Sequence, residues 1–275
     1  MTLSVKELWN LCYGNQKVYR AWYNKYVSKV SIYFTWLLIH TNITANQVTI
    51  ISYFFVIIAS IFFFTGSLWN IFIGIMIIQF TNMLDCVDGE LARYRKESSL
   101  LGAHLEDIYH SLVWYLMFFP LAFGIFLKTG WEYILIFGFL CSAFSHSVII
   151  PAMESSIIKG KLGNAKHLEG LLKKNKSNSE KERTNLKGSK VGQKLSDLYD
   201  KFSAFWAAPT NIIHVTVISI VELINMHYKF MPGYFLFYWY LAVYSVVSIM
   251  IQIVSFVVHY KGRAVEHYFR ELFQK

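Results

Sequence analysis

The stretch from Leu84 to His110, LDCVDGELARYRKESSLLGAHLEDIYH, places acidic and imidazole side chains directly after the apolar run WNIFIGIMIIQFTNM. The side chains in it that could bind a metal or move a proton are Asp85, Asp88, Glu106, Asp107 and His110. A charged side chain at membrane depth costs roughly 2.5 to 3.5 kcal/mol on insertion scales, so carboxylates there indicate a functional site. The alternative interpretation is that these residues have left the bilayer.

Helical spacing favours one shared site, because Asp85 and Asp88 lie three residues apart on one helix face. Glu106 and His110 lie four residues apart on one face of the next helix. We expect an antiparallel hairpin that turns at residues 97–98, with about 1.5 Å of rise per residue. Asp88 is then level with Glu106. Asp85 is likewise level with His110, and the four side chains converge near the cytoplasmic face.

Packed carboxylates repel one another unless a cation neutralises them, and an oxygen-rich site suits Mg²⁺ or Mn²⁺. Cys86 lies between the two aspartates but points away from their face of the helix, so a soft-metal site is not indicated. Gly89, Ala92 and Gly102 are small, which favours either close helix packing or the approach of a nucleotide to the backbone. Arg93 would neutralise the carboxylates, bind a diphosphate or extend to the membrane interface.

These residues form a pattern that resembles the signature of the CDP-alcohol phosphatidyltransferases, also called CDP-alcohol phosphotransferases. That signature runs D-x2-D-G-x2-A-R-x8-G-x3-D-x3-D. The chain matches every fixed position from Asp85 to Arg93 and keeps Gly102. Glu106 and His110 stand in place of the last two aspartates.

A second motif supports the resemblance. The segment ITANQVTIIS, residues 43–52, is similar to the P-N-x2-T motif of that family, with Ala45 in place of the proline. The resemblance implies two divalent cations, Mg²⁺ or Mn²⁺, and the ligands would be Asp85, Asp88, Glu106 and His110. It also implies a CDP-binding pocket, whose lining would be Asn46, Thr49, Asp85, Gly89, Ala92, Arg93 and Gly102.

The resemblance implies transfer of a substituted phosphoryl group from a CDP-alcohol, such as CDP-diacylglycerol, to an acceptor hydroxyl, with release of CMP. Glu106 and His110 would be the catalytic residues. The expected setting is phospholipid synthesis, with membrane lipid as a partner and a homodimer as the assembly. The competing hypothesis is a catalytically inactive membrane scaffold or binding protein of the same fold.

The two substitutions have chemical consequences. Glu106 still coordinates a cation if its helix recedes by about one methylene, whereas a shift of one residue makes Asp107 the fallback ligand. That shift puts Ala103 in the place of the glycine, so we prefer Glu106. His110 has an unperturbed pKa near 6.5 and is a competent general base, and as a metal ligand its nitrogen favours Mn²⁺ over Mg²⁺.

The elements that must position these residues are membrane helices. The chain has 275 residues, is 55% apolar and 18% aromatic, and lies above the soluble range of hydropathy. We predict an all-α integral membrane fold, in one domain over 1–275, with an interfacial amphipathic helix at 5–40 and a basic cytoplasmic loop at 158–200. The six predicted transmembrane helices are 47–66, 68–95, 99–127, 131–155, 204–226 and 231–260.

The distribution of charge predicts the orientation. All but two of the 26 Lys and Arg fall on one side of the predicted spans, the exceptions being Lys128 and Lys229. The positive-inside rule then places both termini and the active site on the cytoplasmic side of the inner or cytoplasmic membrane. The net charge of +9 is an orientation signal in this setting, and nucleic acid is not an expected partner.

A transporter is disfavoured because the carboxylates lie at the end of a span.

Polar residues in later spans are candidates for an acceptor pocket. The alternative role for each of them is a hydrogen bond between helices. These residues are Ser145, His146, Asn211 and His214. Glu222 is a further intramembrane acid for which the sequence suggests no partner. The absence of Lys and Arg from the last three predicted spans favours a neutral acceptor alcohol.

Overall fold

The computed structural model describes residues 3–14, 22–97, 99–145, 206 and 208–261. Every regular element among these residues is an α-helix, as the sequence predicts. In chain order the helices are α1 Val5–Tyr13, α2 Trp22–Leu38, α3 Ala45–Phe64, α4 Leu68–Arg95, α5 Leu100–Thr129, α6 Tyr133–Phe144, α7 Ala208–Tyr228 and α8 Phe235–Lys261.

Within the described residues, five helices are long and apolar enough to cross a membrane, namely α3, α4, α5, α7 and α8, and α6 is a shorter apolar helix. The chain is therefore an all-helical membrane protein. The predicted span at 131–155 continues past Ser145 into residues outside the described ones. The predicted basic loop at 158–200 lies there as well, so the sixth span and the loop stay predictions.

The N-terminal segment contains two helices where the sequence predicted a single one over 5–40. A capping box starts α1: the Ser4 hydroxyl accepts from the Glu7 backbone N–H, and the Glu7 carboxylate accepts from the Ser4 N–H at 2.8 Å. Hydrogen bonds from the Ser4 backbone and hydroxyl lower the pKa of Glu7. Gly14 caps the other end of α1, and glycine is a poor helix former. Leu8 of α1 is buried against Ile32 of α2.

The helix α3 packs along both α4 and α5, and this three-helix group carries the candidate site. Glycine permits the close approach. Gly66, in the α3–α4 turn, has a φ of 69°, and a Cβ at this position would lie 2.0 Å from the carbonyl oxygen of Gly124 in α5. A Cβ at Gly124 would in turn lie 2.0 Å from the carbonyl oxygen of Phe63. The backbone of α5 therefore packs directly against the backbone of the α3–α4 turn, which fixes α5 against the α3–α4 hairpin.

The chain divides into two compact units. The first is Met1–His146 with Ala207–Val246, and the second is Ser147–Trp206 with Val247–Lys275. All described residues of the candidate site belong to the first unit. The single domain over 1–275 stays a prediction.

Glu222, for which the sequence suggested no partner, forms hydrogen bonds in the structure. Its carboxylate is fully buried and accepts from the backbone N–H groups of Tyr234, at 3.0 Å, and Leu236, at 2.8 Å. The first N–H groups of a helix have no partner within it, so Glu222 of α7 caps the start of α8. Burial, followed by the charge of Glu222, raises the pKa of Tyr234, whose hydroxyl donates to the Gly66 carbonyl at 2.8 Å.

Candidate active site

Three of the predicted ligands come together where α4 and α5 approach. The ligand atoms of Asp85, Glu106 and His110 all lie within 4.8 Å of one another. The imidazole Nε2 of His110 is 3.7 Å from Asp85 Oδ1 and 3.9 Å from Glu106 Oε1. The imidazole is 41% exposed and the Glu106 side chain 59% exposed, so the group is open to an incoming ligand.

The residues present fit a divalent cation. Ligands of one Mg²⁺ lie at about 2.0 to 2.1 Å from the ion, so ligands on opposite sides are about 4.2 Å apart. The separations of 3.7 and 3.9 Å from the His110 nitrogen are within that span. Two carboxylates with one imidazole form a mixed oxygen and nitrogen donor set, which Mn²⁺ and related metals accept.

Asp88 lies beside this group and not within it. Its Oδ2 accepts a hydrogen bond from the Thr49 hydroxyl of α3 at 2.6 Å. Asp88 is close enough to Asp85 and Glu106 to interact with both electrostatically. The fallback ligand Asp107 is exposed and is not brought into the group, and its backbone carbonyl accepts from the Ser111 hydroxyl at 3.0 Å.

A cavity of about 270 Å³ opens between α3, α4 and α5 next to the three-ligand group. Its lining is Ala45, Asn46, Thr49, Asp88, Gly89, Ala92, Arg93, Glu97, Ser99, Gly102, Ala103 and Glu106. Six of the seven residues predicted for CDP are among them, and the seventh, Asp85, is in the adjoining group. Glu106 belongs to both the cavity wall and the three-ligand group, so the two features are continuous.

Local sequence explains how two walls of the cavity form. A capping box of Thr44 and Gln47 starts α3, which places Asn46 in its first turn. The Ser99 hydroxyl accepts from the Gly102 backbone N–H at 3.0 Å and caps α5. A Cβ at Gly102 would lie only 3.0 Å from Asn46 Oδ1, so glycine leaves room for the Asn46 side chain at the cavity wall.

Gly89 has a similar role within α4. A Cβ at Gly89 would lie 3.2 Å from Nη1 of Arg93, which stands one turn later on the helix. The guanidinium therefore folds back along the helix over the glycine and faces the cavity next to Asp88. This direction agrees with the general tilt of helical side chains toward the N-terminus.

Glu90 is a residue that sequence reasoning missed. Its side chain is fully buried on the far side of α4 from the cavity. Its carboxylate accepts from the hydroxyls of Ser31, at 2.6 Å, and Thr35, at 2.5 Å, both in α2, and also from the Tyr13 hydroxyl in α1. The signal available in the sequence was an acid inside a span together with hydroxyls spaced four residues apart on α2.

Arg95 is a second residue to which the sequence analysis assigned no role. Its guanidinium donates to the backbone carbonyls of Ile43 and Thr41, both at 2.7 Å, and of Leu38 at 3.3 Å. These carbonyls belong to the end of α2 and to the turn before α3. Arg95 thus fixes the turn that leads to Asn46.

The candidate acceptor residues lie in a different part of the first unit. Asn211 is buried and donates to the Tyr244 hydroxyl at 2.6 Å, while the Tyr240 hydroxyl donates to its Oδ1 at 3.1 Å. The Ser145 hydroxyl donates to the backbone carbonyl of Cys141. The imidazole of His214 lies 6.0 Å from the Tyr240 ring, measured between centroids. His146 is outside the described residues.

A membrane protein with carboxylates and an imidazole beside a cavity at a helix hairpin is a candidate metal-dependent transferase. Residues 42–166, a little under half of the chain, match the CDP-alcohol phosphatidyltransferase family model. The predicted resemblance is confirmed, and it supports a transferase activity with CDP-alcohol donors. All predicted metal and CDP residues fall within the match. No curated protein matches the chain.

Proposed function

We propose that this membrane transferase moves a substituted phosphoryl group from a CDP-alcohol, such as CDP-diacylglycerol, to an acceptor hydroxyl and releases CMP. The observation that carries this proposal is that Glu106 is shared between the three-ligand group and the cavity. A diphosphate bound in the cavity would therefore lie next to the cations that neutralise it. Phospholipid synthesis is the setting that such a reaction serves.

The proposed metal ligands are Asp85, Asp88, Glu106 and His110, which would hold two divalent cations, Mg²⁺ or Mn²⁺. When bound, such cations supply Lewis-acid polarisation of the phosphoryl oxygens and neutralise the carboxylates. The imidazole nitrogen of His110 shifts the preference toward Mn²⁺ relative to an all-aspartate site.

The cavity residues bind and orient the donor. Arg93 supplies a guanidinium that suits a diphosphate, because its planar donors pair with two phosphate oxygens. Gly89 and Gly102 allow the nucleotide to approach the backbone, and Asn46 supplies an amide in the cavity wall. Thr49 holds the Asp88 carboxylate in place through its 2.6 Å hydrogen bond.

In the transfer step, the acceptor oxygen forms a bond to the β-phosphorus of the donor. The bond from that phosphorus to the bridging oxygen breaks, and CMP leaves with the electron pair. The acceptor proton goes to the His110 imidazole if its nitrogen is not bound to a cation. The alternative role of His110 is metal coordination, and the substitutions in the Discussion separate the two.

The acceptor is proposed to be a neutral alcohol that reaches the site from the cytoplasmic side. The charge distribution supports this orientation, because 24 of the 26 Lys and Arg fall on one side of the predicted spans. The polar cluster around Asn211 is the proposed border of the acceptor path. The basic loop at 158–200 would attract anionic lipid to the same face.

The test is metal-dependent release of CMP by the purified full chain in lipid nanodiscs across a panel of CDP-alcohols and neutral acceptors. We expect release with at least one donor, in the presence of Mn²⁺ or Mg²⁺, and its loss in the Asp85→Asn and Asp88→Asn double variant. If CDP binds but no donor yields CMP, the protein is a binding protein or scaffold of the same fold.

A further inference from the structure

Tyr13, in the last turn of α1, contacts two residues of α4 at once. Its hydroxyl donates to the Glu90 carboxylate, and its ring lies under the Arg93 guanidinium, with 5.3 Å from Cζ to the ring centroid. Neither Tyr13 nor Glu90 lines the cavity, whereas Arg93 does. Tyr13 therefore stands behind a residue of the cavity wall.

Two neighbours define the position of the Arg93 guanidinium. Gly89 has no side chain and leaves space for the guanidinium, and the Tyr13 ring packs against it. Its Nε is buried and has no hydrogen-bond partner among the described residues. Because Arg93 lines the cavity, its planar guanidinium is available to bind an anion there, provided that the long side chain does not adopt other rotamers.

Glu90 fixes Tyr13 in this position. The carboxylate is buried and is already held by Ser31 and Thr35 of α2, so it forms a rigid acceptor for the Tyr13 hydroxyl. Glu90 also lies near enough to Arg93 to interact with it electrostatically. Hydroxyls that donate to a carboxylate form charge-assisted bonds, which are stronger than neutral ones.

We propose that Tyr13, anchored by Glu90, is a positioning residue for Arg93, so that α1 supports the diphosphate-binding wall of the CDP cavity from behind. Docking of α1 alone does not require this contact. Leu8 packs against Ile32 in a buried cluster, and the Trp36 indole donates to the Leu3 carbonyl at 2.6 Å. The inference rests on the proposed function, since it assumes that the cavity binds CDP.

The test measures CDP affinity by calorimetry with Mn²⁺ present, on the full chain in detergent. Tyr13→Leu removes the ring from Arg93, and we expect about tenfold weaker CDP binding, in the range of a desolvated cation–π contact. Tyr13→Phe keeps the ring but loses the bond to Glu90, and we expect a loss of about threefold. Trp36→Phe is the matched control: it loosens α1 without touching Glu90 or Arg93, and its CDP affinity should stay within about twofold of wild type.

A double-mutant cycle separates positioning from general stability. In an Arg93→Lys background, which keeps the charge but loses the planar fork, Tyr13→Leu should weaken CDP binding by less than about twofold further. An undiminished effect in that background, or a Tyr13→Leu affinity equal to that of Trp36→Phe, overturns the proposal. If Tyr13→Leu does not fold, Tyr13→Phe decides alone: an affinity equal to the control overturns it. Failure of the wild-type chain to bind CDP overturns the proposed function together with this inference.

Discussion

The imidazole Nε2 of His110 lies 3.7 Å from Asp85 Oδ1, across the gap between α5 and α4. A helical hairpin brings these two residues to the same level although 24 residues separate them in the chain. In the sequence resemblance described above, this imidazole stands in place of the last signature aspartate. The chemistry of the site therefore depends on what this side chain does, and substitution at this position is the most informative first experiment.

If His110 is the base, aspartate should replace it and alanine should not. We expect His110→Ala to lower the rate of metal-dependent CMP release by about 100-fold or more, and His110→Asp to stay within about tenfold of wild type. His104→Ala is the matched control, because His104 is exposed on α5 and lies outside the three-ligand group. Near-wild-type release by His110→Ala would exclude the base role.

Metal affinity distinguishes Glu106 from Asp107. Because only Glu106 belongs to the three-ligand group, Glu106→Gln should weaken Mn²⁺ binding by at least about tenfold, and Asp107→Asn should not. Titration of Mn²⁺ followed by electron paramagnetic resonance measures both. The reverse order of effects would make Asp107 the ligand and shift the signature by one residue.

Chelation of the metal provides a separate check on the same group. Removal of divalent cations should abolish CMP release, and restoration with Mn²⁺ should succeed at a lower concentration than with Mg²⁺, because an imidazole is one of the ligands. In His110→Asp this preference for Mn²⁺ should shrink. Equal restoration by both ions in the wild-type protein would argue against coordination by His110.

Gly102 is expected to be intolerant of a side chain. The Cβ of Gly102→Ala would lie 3.0 Å from Asn46 Oδ1 and 3.2 Å from Ser99 Oγ, so these two side chains must move by a few tenths of an ångström. We expect weaker CDP binding, measured by calorimetry, because the displaced Asn46 amide lines the cavity. Gly233→Ala is the control, since a Cβ there meets nothing within 4 Å. Wild-type CDP affinity in Gly102→Ala would remove Gly102 from the binding wall.

Glu222 should matter for stability and not for chemistry. Glu222→Ala leaves the partly buried backbone N–H groups of Tyr234 and Leu236 without their acceptor, which costs up to about 3 kcal/mol per group. We expect a clearly lower melting temperature in detergent, with CMP release per folded molecule unchanged. Glu132→Ala is the matched control, because Glu132 precedes α6 without a side-chain capping bond. Equal melting of the two variants would contradict the capping role.

The sequence was sufficient for features that depend on local periodicity. The helical fold follows from long apolar runs, because backbone groups in lipid must be satisfied within the segment. The meeting of Asp85 with His110 follows from spacing of three and four residues on two helices joined by a short turn. The cavity lining around Gly89 and Gly102 also follows from the signature, since those positions are defined relative to the same turn.

The tertiary structure alone decided the contacts between residues that are distant in the chain. Asp88 lies beside the three-ligand group and accepts from the Thr49 hydroxyl in α3, 39 residues away. The partners of Glu90 are 77, 59 and 55 residues away, in α1 and α2. Helical spacing determines which face of a helix a side chain occupies. Helical spacing does not determine which helix covers that face, because the answer depends on how all the helices pack. The hydrogen-bond partners of the buried acids Glu90 and Glu222 could therefore be identified only from the folded protein.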